Sequence, residues 1–156
     1  MQKSALKWWV VASVVFEGPS ALTLDGKGRV SMPARYREDL QSACGGRLTL
    51  TKHPHGCLLV FPRPAWESFR AQVARLPYSQ AGVKRVFLGH ADEVELDGTS
   101  RLLIHPDLRD WAHLTRDVKL LGMGSHFELW DAAAYASSEA QVMQQDAAAA
   151  LDSLTF

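Results

Sequence analysis

Apolar and polar residues alternate in short stretches through the first half of the chain, and turn signals separate these stretches. Apolar side chains occupy alternate positions within residues 22–24 and 30–32, which predicts two β-strands. The segment DGKG (residues 25–28) lies between them, and Asp-Gly favours a tight turn because glycine adopts positive φ without a Cβ clash. The pattern predicts a β-hairpin with a basic turn, followed by a short helix that begins at Pro33.

A second pair of apolar strands follows the short helix. Residues 48–51 and 57–61 flank the polar segment KHPHG (52–56), which predicts a second hairpin. A helical stretch over residues 64–76 completes the unit. The order is therefore strand, turn, strand, short helix, strand, turn, strand, helix.

The same order of elements occurs twice along the chain. Residues 22–37 read LTLDGKGRVSMPARYR and residues 94–109 read VELDGTSRLLIHPDLR, so that the two Asp-Gly turns and the arginine after each align. More weakly, residues 118–121 and 126–130 repeat the second hairpin, and a helical stretch begins at Ala132. Two copies are too few for a solenoid, which needs at least about three repeats. A pseudo-symmetric pair that shares one core fits better.

The predicted fold is mainly β with short helices (α+β), and its two units interleave their hairpins because a lone hairpin is marginal in water. We expect the second-copy counterparts of the following residues to share the interior with them: Leu22, Leu24, Val30, Met32, Leu48, Leu50, Leu58 and Val60. The predicted boundaries are an N-terminal extension at 1–15, a first unit at 16–76, a linker with helical character at 77–90, a second unit at 91–135 and a helical tail at 136–156.

The formal net charge of zero hides a charge difference between the two halves of the chain. Residues 1–78 contain 11 Lys and Arg against 5 Asp and Glu, whereas residues 79–156 contain 6 against 12. A basic half beside an acidic half indicates a polyanionic partner for the first half, or docking of one half on another.

Composition and motifs exclude several classes of protein. With 47% hydrophobic and 22% charged residues, the chain is not disordered as a whole. Two cysteines are too few for a disulfide framework, and the apolar run at residues 8–16 is far shorter than the ~20 residues of a spanning helix. No catalytic triad order, phosphate loop or dinucleotide motif stands out. We therefore expect a cytoplasmic protein that is not an enzyme and takes no cofactor.

One short segment invites a metal interpretation. His53, His55 and Cys57 lie within five residues, but a fourth ligand for tetrahedral zinc and the usual Cys-x₂-Cys spacing are absent. Cys57 begins an apolar strand, where a cysteine is more often a small core residue. The sequence therefore predicts no metal.

Several distinctive motifs occur in a fixed order along the chain. They are LDGKGRV and MPARYR within 24–37, GCLLVF at 56–61 followed by Trp66, and FLG, EVELD and FELW within 87–130. Together they resemble the MraZ family, and the resemblance covers about residues 16–135. It implies a tandem swapped-hairpin, AbrB-like double-split barrel. It also implies a bacterial transcriptional regulator of the division and cell-wall gene cluster, nucleoid-associated, which binds repeated promoter boxes of double-stranded DNA as a homo-oligomeric ring, with no membrane and no small-molecule substrate.

The first turn and the helix after it carry the strongest chemistry for DNA. A protruding basic turn gains affinity by releasing counterions from the duplex, and arginine can read guanine bidentately in the major groove. A solvated turn in which Arg29 merely bridges to Asp25 is the alternative. The predicted DNA-binding residues are Lys27, Arg29, Arg35, Arg37 and Arg101.

The second copy departs from the first at positions that matter for this hypothesis. Ser100 stands where the family usually has glycine, and His105 stands where a small residue or proline is usual. Thr99 and Asp107 replace basic residues of the first copy. A DNA contact is therefore expected mainly from the first copy. Two other functions stay open: an antitoxin-like AbrB-fold repressor of another operon, and a protein-interaction ring that uses the acidic half.

Overall fold

A computed structural model describes residues 14–156 of the chain. The predicted extension at residues 1–15 therefore lies outside the described residues except for its last two positions. Of these, Val14 is partly buried against the core and Val15 is exposed.

Eight strands lie in this part of the chain, four in each copy of the repeat. They are β1 (Phe16–Thr23), β2 (Arg29–Ser31), β3 (Arg47–His53), β4 (Cys57–Pro62), β5 (Asp92–Glu95), β6 (Arg101–Leu103), β7 (Asp117–Gly124) and β8 (Phe127–Asp131). Strands β5 to β8 are thus the counterparts of β1 to β4.

Short helices connect the strands and close each copy. They are α1 (Ala34–Cys44), α2 (Arg63–Ala74), α3 (Ala81–Phe87), α4 (Pro106–Trp111), α5 (Ala132–Gln145) and α6 (Ala147–Asp152), with a 3₁₀ turn at Tyr78–Gln80. Among the described residues, no helix combines the length and apolar character needed to cross a bilayer. Pro106 is the first residue of α4, whereas Pro33 is the N-cap of α1, so that α1 begins one residue later than predicted.

The two copies exchange strands. A six-stranded antiparallel sheet has the order β1-β7-β8-β4-β3-β5, and β2 pairs with β6 in a separate antiparallel ribbon. The first strand of each copy therefore pairs with the third strand of the other copy. This is the predicted α+β arrangement of two interleaved units, consistent with an AbrB-like double-split barrel, although the sheet is not closed.

The prediction that the two strands of the first hairpin in each copy pair with each other is wrong. The turn at residues 25–28 forms, but β1 pairs with β7 and β2 pairs with β6. Two backbone bonds close the turn before the strands diverge: the Asp25 amide donates to the Arg29 carbonyl at 2.9 Å, and the Gly28 amide donates to the Asp25 carbonyl at 3.0 Å. Exchange gives β1 a partner along all eight of its residues, which the three-residue β2 could not supply. The second predicted hairpin pairs directly, as β3–β4 and as β7–β8.

The predicted interior is confirmed. Most of the predicted positions of the first copy are buried, and Leu22 is partly buried against them. The buried counterparts in the second copy are Leu102, Ile104, Val118, Leu120, Phe127 and Leu129, and the partly buried ones are Val94 and Leu96. A smaller cluster of Leu59, Phe61 and Trp66 lies on the opposite face of the large sheet.

Candidate nucleic-acid interface

The β2–β6 ribbon holds the two turn arginines on one surface. Its three pairs are Arg29–Leu103, Val30–Leu102 and Ser31–Arg101. Val30 and Leu102 are buried, and side chains alternate along a strand, so that the flanking pairs face away from the core. Arg29 and Arg101 therefore share the outer face, two positions apart along the ribbon, or about 7 Å.

The first turn is organised by one carboxylate. The Asp25 Oδ1 atom accepts hydrogen bonds from the backbone amides of Lys27 and Arg29, both at 2.9 Å. The Oδ2 atom accepts from Arg29 Nε, also at 2.9 Å. The bridge between Arg29 and Asp25, which was the alternative to a DNA-binding turn, is thus present. The bridge uses Nε of Arg29, whereas the two Nη groups at the end of the guanidinium take no part in it.

The second turn repeats this bonding. The Asp97 Oδ1 atom accepts from the amides of Thr99 and Arg101, both at 2.9 Å, and from the Thr99 hydroxyl at 3.0 Å. Arg101 Nε donates to Asp97 Oδ2 at 2.8 Å. The ribbon therefore carries an aspartate–arginine pair of the same geometry at each end.

Hydrogen bonding holds the pKa of both turn carboxyls below the ordinary value. The largest cause at Asp25 is the backbone amide of Arg29, and at Asp97 it is the backbone amide of Arg101. Because these bonds favour the ionised form, both carboxyls stay charged at neutral pH and keep their arginines oriented.

Each turn contains one residue with positive φ just before its arginine. Gly28 has a φ of 81° and Ser100, at the matching position, has a φ of 61°. The backbone shape of the first copy is therefore kept in the second, although a side chain in the left-handed region costs about 1–2 kcal/mol.

Arg109, which the sequence analysis did not select, lies at the first turn. A Cβ placed on Gly28 would lie 2.8 Å from Arg109 Cζ, so that the guanidinium packs directly over this glycine. Arg109 Nε donates to the Ile104 carbonyl at 3.0 Å, and the Ile104 amide donates to the Gly28 carbonyl at 2.8 Å. A helix of the second copy thus supplies a basic group to the turn of the first.

Arg37, the counterpart of Arg109, has the matching position. Its Nε donates to the Met32 carbonyl at 2.8 Å, and the Met32 amide donates to the Ser100 carbonyl at 2.9 Å. Arg37 is therefore connected through Met32 to the second turn rather than to the first. The alignment of Arg37 with Arg109 was visible in the repeat, but strand exchange was needed to show which turn each one joins.

Arg35 and Lys27 complete the predicted set. Arg35 Nη2 donates to the Pro19 carbonyl at 2.6 Å and to Ser20 Oγ at 2.7 Å, so that this side chain lies along β1. Lys27 is exposed at the tip of the first turn. The five predicted residues thus divide between the two ends of the ribbon and the β1 surface.

The second copy is acidic at the place corresponding to Arg35. Asp107 accepts from His90 Nδ1 at 2.9 Å and pairs with Lys52 Nζ at 3.5 Å. The hydrogen bond from His90 lowers the pKa of the Asp107 carboxyl below its usual value. A DNA phosphate that approaches Asp107 would meet a carboxylate. That carboxylate already pairs with two basic groups, His90 and Lys52.

Comparisons with known proteins agree with the repeat. A family model described as "MraZ protein, putative antitoxin-like" matches the chain twice, over residues 15–86 and 87–155. A "Transcriptional regulator MraZ" from Methylibium petroleiphilum is 58% identical over 146 residues, 94% of this chain and 100% of the relative. Proteins of the same name from Cupriavidus pinatubonensis and Burkholderia mallei are 58% and 56% identical over 142 residues, 91% of this chain and 100% of each relative.

Proposed function

The chain belongs to the MraZ family, and on that premise we propose that it is a transcriptional regulator that binds duplex DNA in a sequence-specific manner. It is not an enzyme, and it works in the cytoplasm in association with the nucleoid. The names of its relatives support regulation of transcription. The observation that carries DNA binding is the pair of matching aspartate–arginine turns on one face of the β2–β6 ribbon.

The ribbon suits the major groove of DNA. A two-stranded β-ribbon fits that groove, and the ~7 Å between the turn arginines spans about two base-pair steps of ~3.4 Å. Asp25 holds Arg29 by Nε, so that the two Nη groups can meet O6 and N7 of one guanine. Asp97 holds Arg101 in the same way. The aspartates thus hold two long side chains in place before DNA binds, which lowers the entropic cost of binding.

Lys27, Arg35 and Arg37 supply phosphate contacts around this centre, and Arg109 joins them at the first turn. These contacts add affinity with little sequence preference, since phosphates are alike along the duplex. We assign the reading of bases to Arg29 and Arg101, with Arg29 making the larger contribution because its surroundings are more basic.

The proposed target is the promoter of the division and cell-wall gene cluster, whose repeated boxes are contacted by successive subunits of a homo-oligomeric ring. Each ribbon alone is small, so that a single subunit binds weakly. Linking several ribbons in one particle converts later contacts into intramolecular ones and raises the overall affinity.

The test is Arg29→Ala in a gel-shift titration with a fragment of that promoter. We expect binding to weaken by about 1–3 kcal/mol while thermal melting and particle size stay unchanged. Arg70→Ala is the matched control, since Arg70 also pairs with a carboxylate, that of Glu67, but lies on α2. Equal effects of the two variants, or wild-type binding that does not fall as salt rises, would contradict the proposal. The second result would favour a protein-interaction ring.

A further inference from the structure

Three metal-ligating side chains from both copies meet on the face of the large sheet that carries Leu59 and Phe61. They are His53 at the end of β3, Cys57 at the start of β4, and Glu128 in β8. One ligand atom from each lies within 4.8 Å of the others. His53 Nε2 is 3.3 Å from Glu128 Oε2, and Cys57 Sγ is 4.0 Å from Glu128 Oε1.

The strand register explains why they meet. His53 and Cys57 form the closing pair of the β3–β4 hairpin. Glu128 pairs with Leu59 across β4–β8, which places it diagonally opposite Cys57 and on the same face, because alternate residues share a face. Glu128 is the further ligand that the local HPHGC segment lacks, and it comes from 71 positions along the chain.

The separation of 3.3 Å between His53 Nε2 and Glu128 Oε2 matches a small tetrahedral site, and the 4.0 Å between Cys57 Sγ and Glu128 Oε1 must shorten when an ion binds. Zinc binds nitrogen and oxygen at about 2.0–2.1 Å and sulfur at about 2.3 Å, which puts the donor atoms about 3.3–3.6 Å apart. We propose that His53, Cys57 and Glu128 bind one borderline divalent transition-metal ion, of which Zn²⁺ is the type, with water as the fourth ligand. A thiolate, an imidazole and a carboxylate are the set that zinc accepts, whereas Mg²⁺ and Ca²⁺ take oxygen ligands.

The surroundings favour a preformed site. Cys57 is fully buried, while the side chains of His53 and Glu128 are 19% and 12% exposed, so that an ion can enter from one side. Trp130 Nε1 donates to Glu128 Oε1 at 3.0 Å and fixes the carboxylate, as outer hydrogen bonds do at metal sites.

Two features oppose occupancy. Burial raises the pKa of the Cys57 thiol, which must release its proton to solvent when it binds the metal. The other feature is a hydrogen bond to His53. The His55 amide donates to His53 Nδ1 at 3.0 Å, so that in the neutral ring the proton lies on Nε2, facing Glu128. Metal binding at Nε2 moves this proton to Nδ1 and breaks the His55 bond. His55 lies in the turn between β3 and β4, at the edge of the site.

The ion would join the two copies. Two of its ligands belong to a hairpin of the first copy and the third belongs to a strand of the second. An ion that binds only the folded protein stabilises it in proportion to the logarithm of its concentration over Kd. The site is therefore structural, and its presence is independent of DNA binding.

The experiment uses the full chain after treatment with a chelator, with Co²⁺ as a spectroscopic probe and then Zn²⁺. We expect one Co²⁺ per chain and a near-ultraviolet thiolate-to-metal absorption band, which Zn²⁺ abolishes by displacement. Zn²⁺ should also raise the melting temperature. Cys57→Ser should remove the band, and Glu128→Gln should weaken binding about tenfold or more.

Cys44→Ser is the matched control, because Cys44 is the other cysteine, is also buried, and bonds to the Leu40 carbonyl in α1. It should keep the band and the stoichiometry. The proposal is overturned if the native chain shows no thiolate band, if the band persists in Cys57→Ser, or if it is lost in Cys44→Ser. Should Cys57→Ser fail to fold, the native spectrum together with Cys44→Ser and Glu128→Gln decides the question.

Discussion

The turn at residues 25–29 and the turn at residues 97–101 have the same skeleton and different surroundings. In each, an aspartate accepts two backbone amides and the Nε of an arginine four residues later. In each, the residue before that arginine has positive φ. The bonding that shapes the turn is therefore kept in both copies, even where glycine has been replaced by Ser100.

The charges around this skeleton differ between the copies. The first turn presents Lys27 at its tip, where the second presents Thr99. Arg35 of the first copy contacts β1, whereas its counterpart Asp107 contacts His90 and Lys52. Turn shape and turn charge are therefore separable, since the aspartate and the backbone amides that it binds set the shape, and the neighbouring side chains set the attraction for a polyanion.

The largest expected difference is between two arginine substitutions. Arg29→Ala should weaken operator binding by about 1–3 kcal/mol, and Arg101→Ala should weaken it by less, because fewer basic groups surround the second turn. Gel-shift titrations of both variants at one salt concentration measure the difference. Equal losses would mean that both turns of the ribbon read DNA alike, in which case the neighbouring charges do not matter.

Gly28→Ala breaks the skeleton of the first turn. A φ of 81° disfavours any side chain, and the new Cβ would lie 2.8 Å from Arg109 Cζ. We expect a loss of about 1–2 kcal/mol in unfolding free energy, or a melting temperature lower by roughly 2–8 °C. Gly26→Ala is the control, since a Cβ there meets nothing within 4 Å. An unchanged melting temperature for Gly28→Ala would show that Arg109 and the turn adapt freely.

The sequence predicted the strands and the core because apolar alternation specifies which side chains face inward. It did not predict the partners of β1 and β2, since an alternating strand can bury the same face against several neighbours. Asp-Gly signals a turn but does not require the flanking strands to pair. The pairing depends on the strands of the other copy, and β7 pairs with all eight residues of β1.

The sequence predicted only those site residues whose positions depend on the local turn structure. Arg29 and Arg101 follow from the turn motif and its repeat. Arg109 was missed at the first turn because its position depends on strand exchange, and Glu128 was missed beside His53 because it depends on the β4–β8 register. Alignment of the copies gives counterparts but not contacts between copies.

Thr99→Lys tests whether charge alone separates the turns. It restores the residue type of Lys27 and removes the hydrogen bond from the Thr99 hydroxyl to Asp97. The turn should tolerate the change because the backbone amide bond to the aspartate is kept, and Lys27 binds Asp25 through that amide alone. We expect tighter DNA binding by up to about 1 kcal/mol, with a salt slope steeper by about 1. Thr99→Gln is the neutral control. A tighter complex with an unchanged salt slope would point to a contact other than phosphate.

Ser100→Gly should relieve backbone strain in the second turn, and its expected effect on stability is small. Ser100 has a φ of 61°, so that glycine would remove a backbone cost of about 1–2 kcal/mol. Glycine also increases the conformational entropy of the unfolded chain, which offsets about 0.4–1 kcal/mol of this gain. The net expectation is a stabilisation of about 0.5–1 kcal/mol, or a melting temperature higher by roughly 1–4 °C.

Ser31→Gly in β2 is the control and should destabilise, because Ser31 is not among the positive-φ residues of the described chain. A lower melting temperature for Ser100→Gly would mean that the serine side chain stabilises the second turn, and that the two turns differ in structure as well as in charge.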